Sequence, residues 1–335
     1  MSHASAVVTV SAGIVAACVS GCAAQPDSEL LGSHLFGGEA GLPRFDCEVA
    51  GDCAFDVGDY PLLVKQGHVT RYDSVNRIPL WSAYRVEPSF REVPPRKDRF
   101  ASFRSDRAVD RPVGTADYNG LHRTFDIARG HLAPFAVMGG DRDADGVRAE
   151  LDRDESDPFD EQTVFDANLM SNIAPQYHST FNGSPGLWFC LERWVQDCVV
   201  RESGLEVWVL AGSIVGPGQT WVVGRQDDIS IPHMFYKIVV LERDDNEVPL
   251  VLAFLFPHQR EAHGQIEDFL VPVDVIEGMT QLDIFAHLED DMEEFLEDRD
   301  TYANWVELWG VLGRTGACDP NSGGWRPRRE SVFDR

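Results

Sequence analysis

Two stretches of this chain bring together residue types that can attack a phosphodiester. The first is Phe125-Asp126-Ile127-Ala128-Arg129-Gly130-His131-Leu132-Ala133-Pro134. The second is Leu169-Met170-Ser171-Asn172-Ile173-Ala174-Pro175-Gln176, running on through Phe181-Asn182-Gly183 to Trp188 and Leu191-Glu192. A histidine near its ordinary pKa takes a proton from water at neutral pH. Arg129 adds a cation, and Gly130 between them offers a backbone that a phosphate could approach closely. Asn172 and Asn182 carry neutral amide oxygens, suited to a hard cation such as Mg²⁺ that keeps several of its waters. Glu192, on the helix expected after Asn182, falls within reach of a metal-bound water. A base, a Lewis acid and cationic clamps are what phosphodiester hydrolysis requires. Spacing alone makes a weak case, because Gly-His and loop asparagines commonly serve turns.

These residues need a scaffold. Strand-like apolar runs occur at Leu80–Val86, Leu205–Leu210, Met234–Leu241 and Leu250–Phe256, and helical patterns at Trp188–Val199 and near Phe285–Leu296. Strands and helices mix without a regular βαβ alternation, which predicts an α+β fold with a mixed or antiparallel sheet. At 335 residues and 43 % hydrophobic content the chain can bury a full core. Trp305 and Trp309, four apart, read as core packing.

The net charge of −26 excludes polyanion binding through the general field, so any nucleic-acid chemistry must be local. Residues 85–111 are the exception, with eight basic and five acidic residues. Residues 141–161 hold ten acidic and three basic residues. Within them Asp141, Asp143 and Asp145, with Gly146 next and Asp152 at the twelfth position, resemble the ligand order of a Ca²⁺ loop. The alternative is an acidic solvated turn. The run Glu289–Asp300 reads as a solvated helix face.

The uncharged residues 4–21 read as a signal-peptide core. They end at Val19-Ser20-Gly21-Cys22, which resembles a bacterial lipobox with Cys22 as the lipid attachment site. The expectation is an exported lipoprotein tethered to a membrane of a bacterial envelope. Residues 1–21 are its leader, 22–44 a tether, 45–320 one domain and 321–335 an irregular tail. Cys47 and Cys53 could close a small loop in an oxidising compartment, and either Cys190 or Cys198 could meet Cys318.

The order and flanks of the two chemical stretches resemble the DNA/RNA non-specific endonuclease family, the ββα-metal nucleases that include endonuclease G. The family's Asp-Arg-Gly-His-Leu-Ala resembles residues 128–133, with Ala128 in place of Asp. Its Leu-Ser-Asn-x-x-Pro-Gln resembles residues 170–176, and its Asn-x-x-x-Trp-x-x-Leu-Glu resembles Asn182 to Glu192 with two extra residues. Asn76 to Tyr84, Ala116 to Gly120 and Ile231 to Lys237 extend the likeness, which covers about residues 70–285. The resemblance implies His131 as general base and Asn182 as the direct ligand of Mg²⁺, with Mn²⁺ as a substitute. It also implies Glu192 on a metal-bound water and Asn172 positioning His131 or the phosphate. Arg99 and Arg129 would stabilise charge on the phosphate. DNA and RNA would be the substrates and 5′-phosphates the product ends. Ala128 and Gln196, the latter where the family often has Arg, put the rate in doubt. The competing reading is a catalytically weakened nuclease fold acting as a calcium-binding module.

Overall fold

The computed structural model describes residues 41–311, apart from 52, 54–55, 203, 219–220, 227, 242–247 and 299–300. The leader with Cys22, most of the tether, Cys318 and the tail lie outside the described residues. In chain order the main elements are strands β1 (Leu62–Val64), β2 (Val69–Asp73), β3 (Ile78–Val86) and β4 (Ile127–His131). Helix α1 (Pro158–Ala167), strand β5 (Ile173–Tyr177) and helix α2 (Leu187–Trp194) follow. Strands β6 (Val207–Ile214), β7 (Met234–Leu241) and β8 (Leu250–Pro257) come next, then helices α3 (Val273–Thr280), α4 (Asp290–Glu297) and α5 (Thr301–Val311).

Six strands form one antiparallel sheet in the order β8-β7-β6-β3-β2-β1. The long strands are apolar at nearly every position because both faces of the sheet are covered. Tyr84, Val209, Ala211, Phe235, Val239, Phe254 and Phe256 face one core, shared with α2 and with Trp305 and Leu308 of α5. Trp81, Leu210, Tyr236, Ile238 and Ala253 face the other, closed by Val273 and Ile276 of α3 and Leu296 of α4. Each large side chain so buried contributes roughly 1.5–3 kcal/mol. This is the α+β architecture expected, with an antiparallel sheet at its centre.

β4 and β5 form a separate antiparallel pair, in register from Ile127↔Tyr177 to His131↔Ile173. α2 follows β5 after a short coiled segment, so strand, strand and helix make one unit on the first core. The helix predicted over Trp188–Val199 is present, but after Trp194 its hydrogen bonds widen into a π-type coil over Val195–Glu202. The second predicted helix begins at Asp290 rather than near Phe285, which is itself buried in the second core. α1 was not legible in the acidic insertion. Asp157 caps it, its Oδ2 accepting the Asp160 backbone N–H at 2.9 Å, and Pro158 occupies the first turn, where its missing donor costs nothing.

Cys47 and Cys53 are disulfide-bonded, and Cys190 and Cys198 are buried. Trp305 packs against Trp194 with ring centroids 4.8 Å apart. Among the described residues no helix is long and apolar enough to cross a membrane.

Candidate active site

His131 ends β4 and is 8 % exposed. Its Nε2 lies 3.2 Å from Asn168 Oδ1. Asn168 Nδ2 donates to the Phe100 carbonyl at 3.0 Å, which turns Oδ1 toward the ring. That network assigns the proton to Nε2 and leaves the Nδ1 lone pair as the basic position. Burial, with the nearby Arg96 charge, lowers the His131 pKa to about 3, against a smaller opposing effect of Asn168. The imidazole is therefore neutral across the physiological range, with one ring lone pair unprotonated.

Asn172 is fully buried and fully used. Its Oδ1 accepts from the Ala133 N–H at 2.9 Å and from Ser82 Oγ at 3.1 Å. Its Nδ2 donates to the carbonyls of Ala133 and Ala167, at 2.8 and 2.9 Å. It braces the turn that follows His131 against the end of α1, and no polar atom of its side chain is left for phosphate. Of the two roles implied for it, these hydrogen bonds fit the positioning of His131 and not that of the phosphate.

Gly130 serves a different end from the one its spacing suggested. A methyl group there would fall inside the Gln176 side chain, which lies across the glycine from β5. Gln176 Oε1 in turn accepts from Asn182 Nδ2 at 2.8 Å. The missing Cβ thus makes room for the residue that orients Asn182, one position from His131. Among the described residues Asn182 Oδ1 has no hydrogen-bond donor, and a neutral, pre-oriented amide oxygen is a good donor for a hard cation.

Glu192 is not a lone carboxylate. Its Oε1 is ion-paired with Lys237 Nζ at 3.1 Å, and the Lys237 side chain is only 1 % exposed. Lys237 also lies 3.8 Å from the centroid of the Trp188 ring, whose Nε1 donates to the His131 carbonyl at 3.3 Å. Burial raises the Glu192 pKa and lowers that of Lys237, each opposed by the partner's charge.

Of the two arginines that the resemblance implies for the phosphate, Arg129 lies beside His131 and Arg99 does not. Arg99 pairs with Glu161 and donates to the Glu150 carbonyl, turned into the acidic insertion. Arg96 stands in its place: its guanidinium carbon is 5.0 Å from the centroid of Phe103, a ring 5.4 Å from that of His131. Arg129 packs on Phe103 as well, at 5.1 Å, and donates to the Thr115 carbonyl at 2.7 Å. Neither Arg96 nor Arg129 forms an ion pair with a carboxylate among the described residues. Partial burial and Arg129 together pull the Arg96 pKa down. Two like charges held together without a counter-charge make a place for an anion. Arg193 cannot replace the arginine missing at Gln196, because it pairs with Asp197 while Gln196 is buried.

A neutral imidazole in one tautomer serves an enzyme that deprotonates water, and unpaired guanidiniums beside it serve an anionic substrate. On a strand–strand–helix unit, that combination marks a metal-dependent hydrolytic nuclease of the ββα-metal kind. Sequence comparison gives the family: residues 53–291 match the model of the DNA/RNA non-specific endonucleases, and the chain belongs to that family. It is 26 % identical over 243 residues to the nuclease of Serratia marcescens, covering 71 % of this chain and 79 % of that one. It is 24 % identical over 236 residues to the mitochondrial nuclease EXOG of Xenopus laevis, covering 67 % of this chain and 58 % of the relative. A crystal structure of the EndoG/EndoGI complex shares the fold, with a TM-score of 0.54 at 20 % identity, over 71 % of this chain and 89 % of that one.

Sequence reasoning missed Arg96, Asn168, Gln176 as a brace, and Lys237 as the partner of Glu192. Asn168 had a signal, a second amide four residues before Asn172. Arg96 lay in the basic segment, three residues from the arginine chosen. The expected result for Arg96→Ala is a kcat/KM for DNA nicking lowered by about 10²-fold, as for loss of a charge-stabilising donor, at an unchanged Tm. Arg99→Ala is expected to lower Tm by a few degrees and leave kcat/KM within about threefold. The opposite pattern in these two variants would return Arg99 to the phosphate.

Proposed function

We propose that the protein is a Mg²⁺-dependent, sugar-non-specific endonuclease that hydrolyses DNA and RNA to 5′-phosphate ends. The observation that carries this reading is the pair of unpaired guanidiniums, Arg96 and Arg129, on Phe103 beside His131, in a chain otherwise strongly acidic. A phosphodiester is the anion that such a pair and a water-activating imidazole would act on together. In this mechanism His131 Nδ1 takes the proton of the attacking water as its oxygen bonds to phosphorus. Asn168 keeps the ring in the required tautomer, and Asn172 holds the turn behind it. Arg96 and Arg129 neutralise charge that grows on the phosphoryl oxygens. Asn182 Oδ1 would hold the metal, with Glu192 within the same unit for its water shell. Bound there, Mg²⁺ or Mn²⁺ supplies Lewis-acid stabilisation of the leaving 3′-oxygen.

The test is nicking of supercoiled plasmid and cleavage of single-stranded RNA with Mg²⁺, with Mn²⁺ and with excess chelator, followed by end analysis. Cleavage of both polymers is expected, abolished by chelator. The product ends should accept label from a polynucleotide kinase only after phosphatase treatment. Undiminished cleavage in chelator, or ends that label directly, would defeat the proposal.

A further inference from the structure

The acidic insertion between β4 and β5 holds a second cluster that the nuclease reaction does not use. Carboxylate oxygens of Asp141, Asp143 and Asp145 lie within 4.8 Å of one another, as do those of Asp143, Asp157 and Asp160. Asp143 belongs to both groups and so joins the loop to the start of α1. The loop is shaped by its own donors: Gly146 N–H to Asp141 Oδ2 at 3.0 Å, and Val147 N–H to Asp145 Oδ1 at 2.7 Å. Gly146 sits at φ +88°, a conformation that favours glycine.

Asp160 is what separates this cluster from an ordinary acidic turn. It is 0 % exposed, at the first turn of α1. Its Oδ1 accepts the Arg142 backbone N–H at 3.1 Å, but Oδ2 is buried without any hydrogen-bond partner. Asp141 Oδ1 is orphaned in the same way. Buried carboxylate oxygens are not left unpaired without cost. Burial, reinforced by Asp157 and Asp143, pushes the Asp160 carboxyl up to about 7. No side-chain cation forms an ion pair with the cluster among the described residues, and the buried Arg142 acts on Asp160 only at longer range. The Arg142 guanidinium donates to the carbonyls of Val137 and Gly67, and Arg148 pairs with Glu92 and Glu150.

We propose that Asp141, Asp143, Asp145 and Asp160, with Asp157 beside them, form a structural calcium site, separate from the nuclease centre. The donor set suits that ion: Ca²⁺ takes six to eight oxygen ligands in flexible geometry, carboxylates above all, whereas Mg²⁺ keeps most of its waters. The site corrects the ligand set expected from sequence. Asp152, at the twelfth position, is exposed and outside both groups, its Oδ1 accepting the Asp154 N–H at 3.1 Å. The closing ligand comes instead from α1. Calcium would fasten the start of α1 to the loop that leaves the His131 turn, and the far end of α1 is capped by Asn168, the residue that holds the His131 tautomer.

The test reads binding and melting, not cleavage, so it stands apart from the nuclease reading. Ca²⁺ is titrated calorimetrically into the full chain and Tm is followed, alongside Asp143→Asn/Asp145→Asn, Asp160→Asn and Asn182→Ala. One Ca²⁺ per chain is expected, raising Tm by about 5 °C at a hundredfold excess over Kd. Asn182→Ala should keep that response and Asp143→Asn/Asp145→Asn should lose it. Asp160→Asn should also lose it while melting higher than the parent in chelator, because an unpaired buried charge has been removed. A Tm indifferent to Ca²⁺, or a full response in Asp143→Asn/Asp145→Asn, would overturn the site. An equal Mg²⁺ response lost in the same variants would overturn its assignment to calcium.

Discussion

Replacing His131 by alanine is expected to lower plasmid nicking by about 10³-fold or more, with the fold intact. Positioned general bases contribute on the order of 10²–10⁴ in rate, and among the described residues no second imidazole is hydrogen-bonded to an asparagine side chain as this one is. His258, also buried, is engaged at both nitrogens: Nε2 accepts the Tyr177 N–H at 2.9 Å and Nδ1 lies 2.8 Å from the Pro232 carbonyl. The variant leaves Asn168 Oδ1 unpartnered, at a cost of about 1–3 kcal/mol, so Tm is measured beside rate. Asn168→Ala separates the two roles. It keeps the imidazole but frees its tautomer, and a fall of about 10- to 100-fold is expected. Free imidazole should partly restore cleavage by His131→Ala, a recovery that an unfolded chain could not give. Retention of more than about a tenth of the parental rate by His131→Ala would remove His131 from the proton transfer.

The parts legible in the sequence were those set by local pattern. The strands β3, β6, β7 and β8 announced themselves because a doubly covered sheet demands unbroken β-branched and aromatic runs. β4 and β5 did not, since Ile127-Ala128-Arg129-Gly130-His131 and Ile173-Ala174-Pro175-Gln176-Tyr177 lack alternation and carry Gly or Pro. Their chemistry was found through motif order instead. What stayed hidden depends on distant partners. Arg99 is drawn away by Glu161, 62 residues later, and this leaves Arg96 to face the site. Gly130 is explained only by Gln176 across the ladder. Asp160 lies beyond the apparent end of its loop, on a helix that an acidic composition concealed. Lys237 was legible only as the end of a matching stretch inside an apolar strand, and nothing local says that its amine meets Glu192 across the core.

That last pairing carries the second large effect. Lys237→Met is expected to cost about 3–5 kcal/mol of folding stability, on the order of 10 °C in Tm, because it strands Glu192 in a desolvated place without a cation. Methionine keeps the packing against Trp188, so loss of apolar volume is not the cause. Burial already raises the Glu192 pKa with Lys237 present, and without it the shift must grow. A carboxyl with a raised folded pKa loses stability as pH rises from its unfolded value of about 4.3 toward the folded one. The Tm gap between parent and variant should therefore be small near pH 5 and wide near pH 8. Adding Glu192→Leu to Lys237→Met removes both charges and should recover most of the Tm, since an apolar pair of similar bulk replaces a buried ion pair at little cost. It should not recover nicking, because the residue proposed for the metal's water shell is then gone. A single variant that melts with the parent at pH 8, or a double variant no more stable than the single, would mean that Lys237 does not hold Glu192 ionised. The side chain would then act on the site only through its packing on Trp188, whose indole grips the His131 carbonyl.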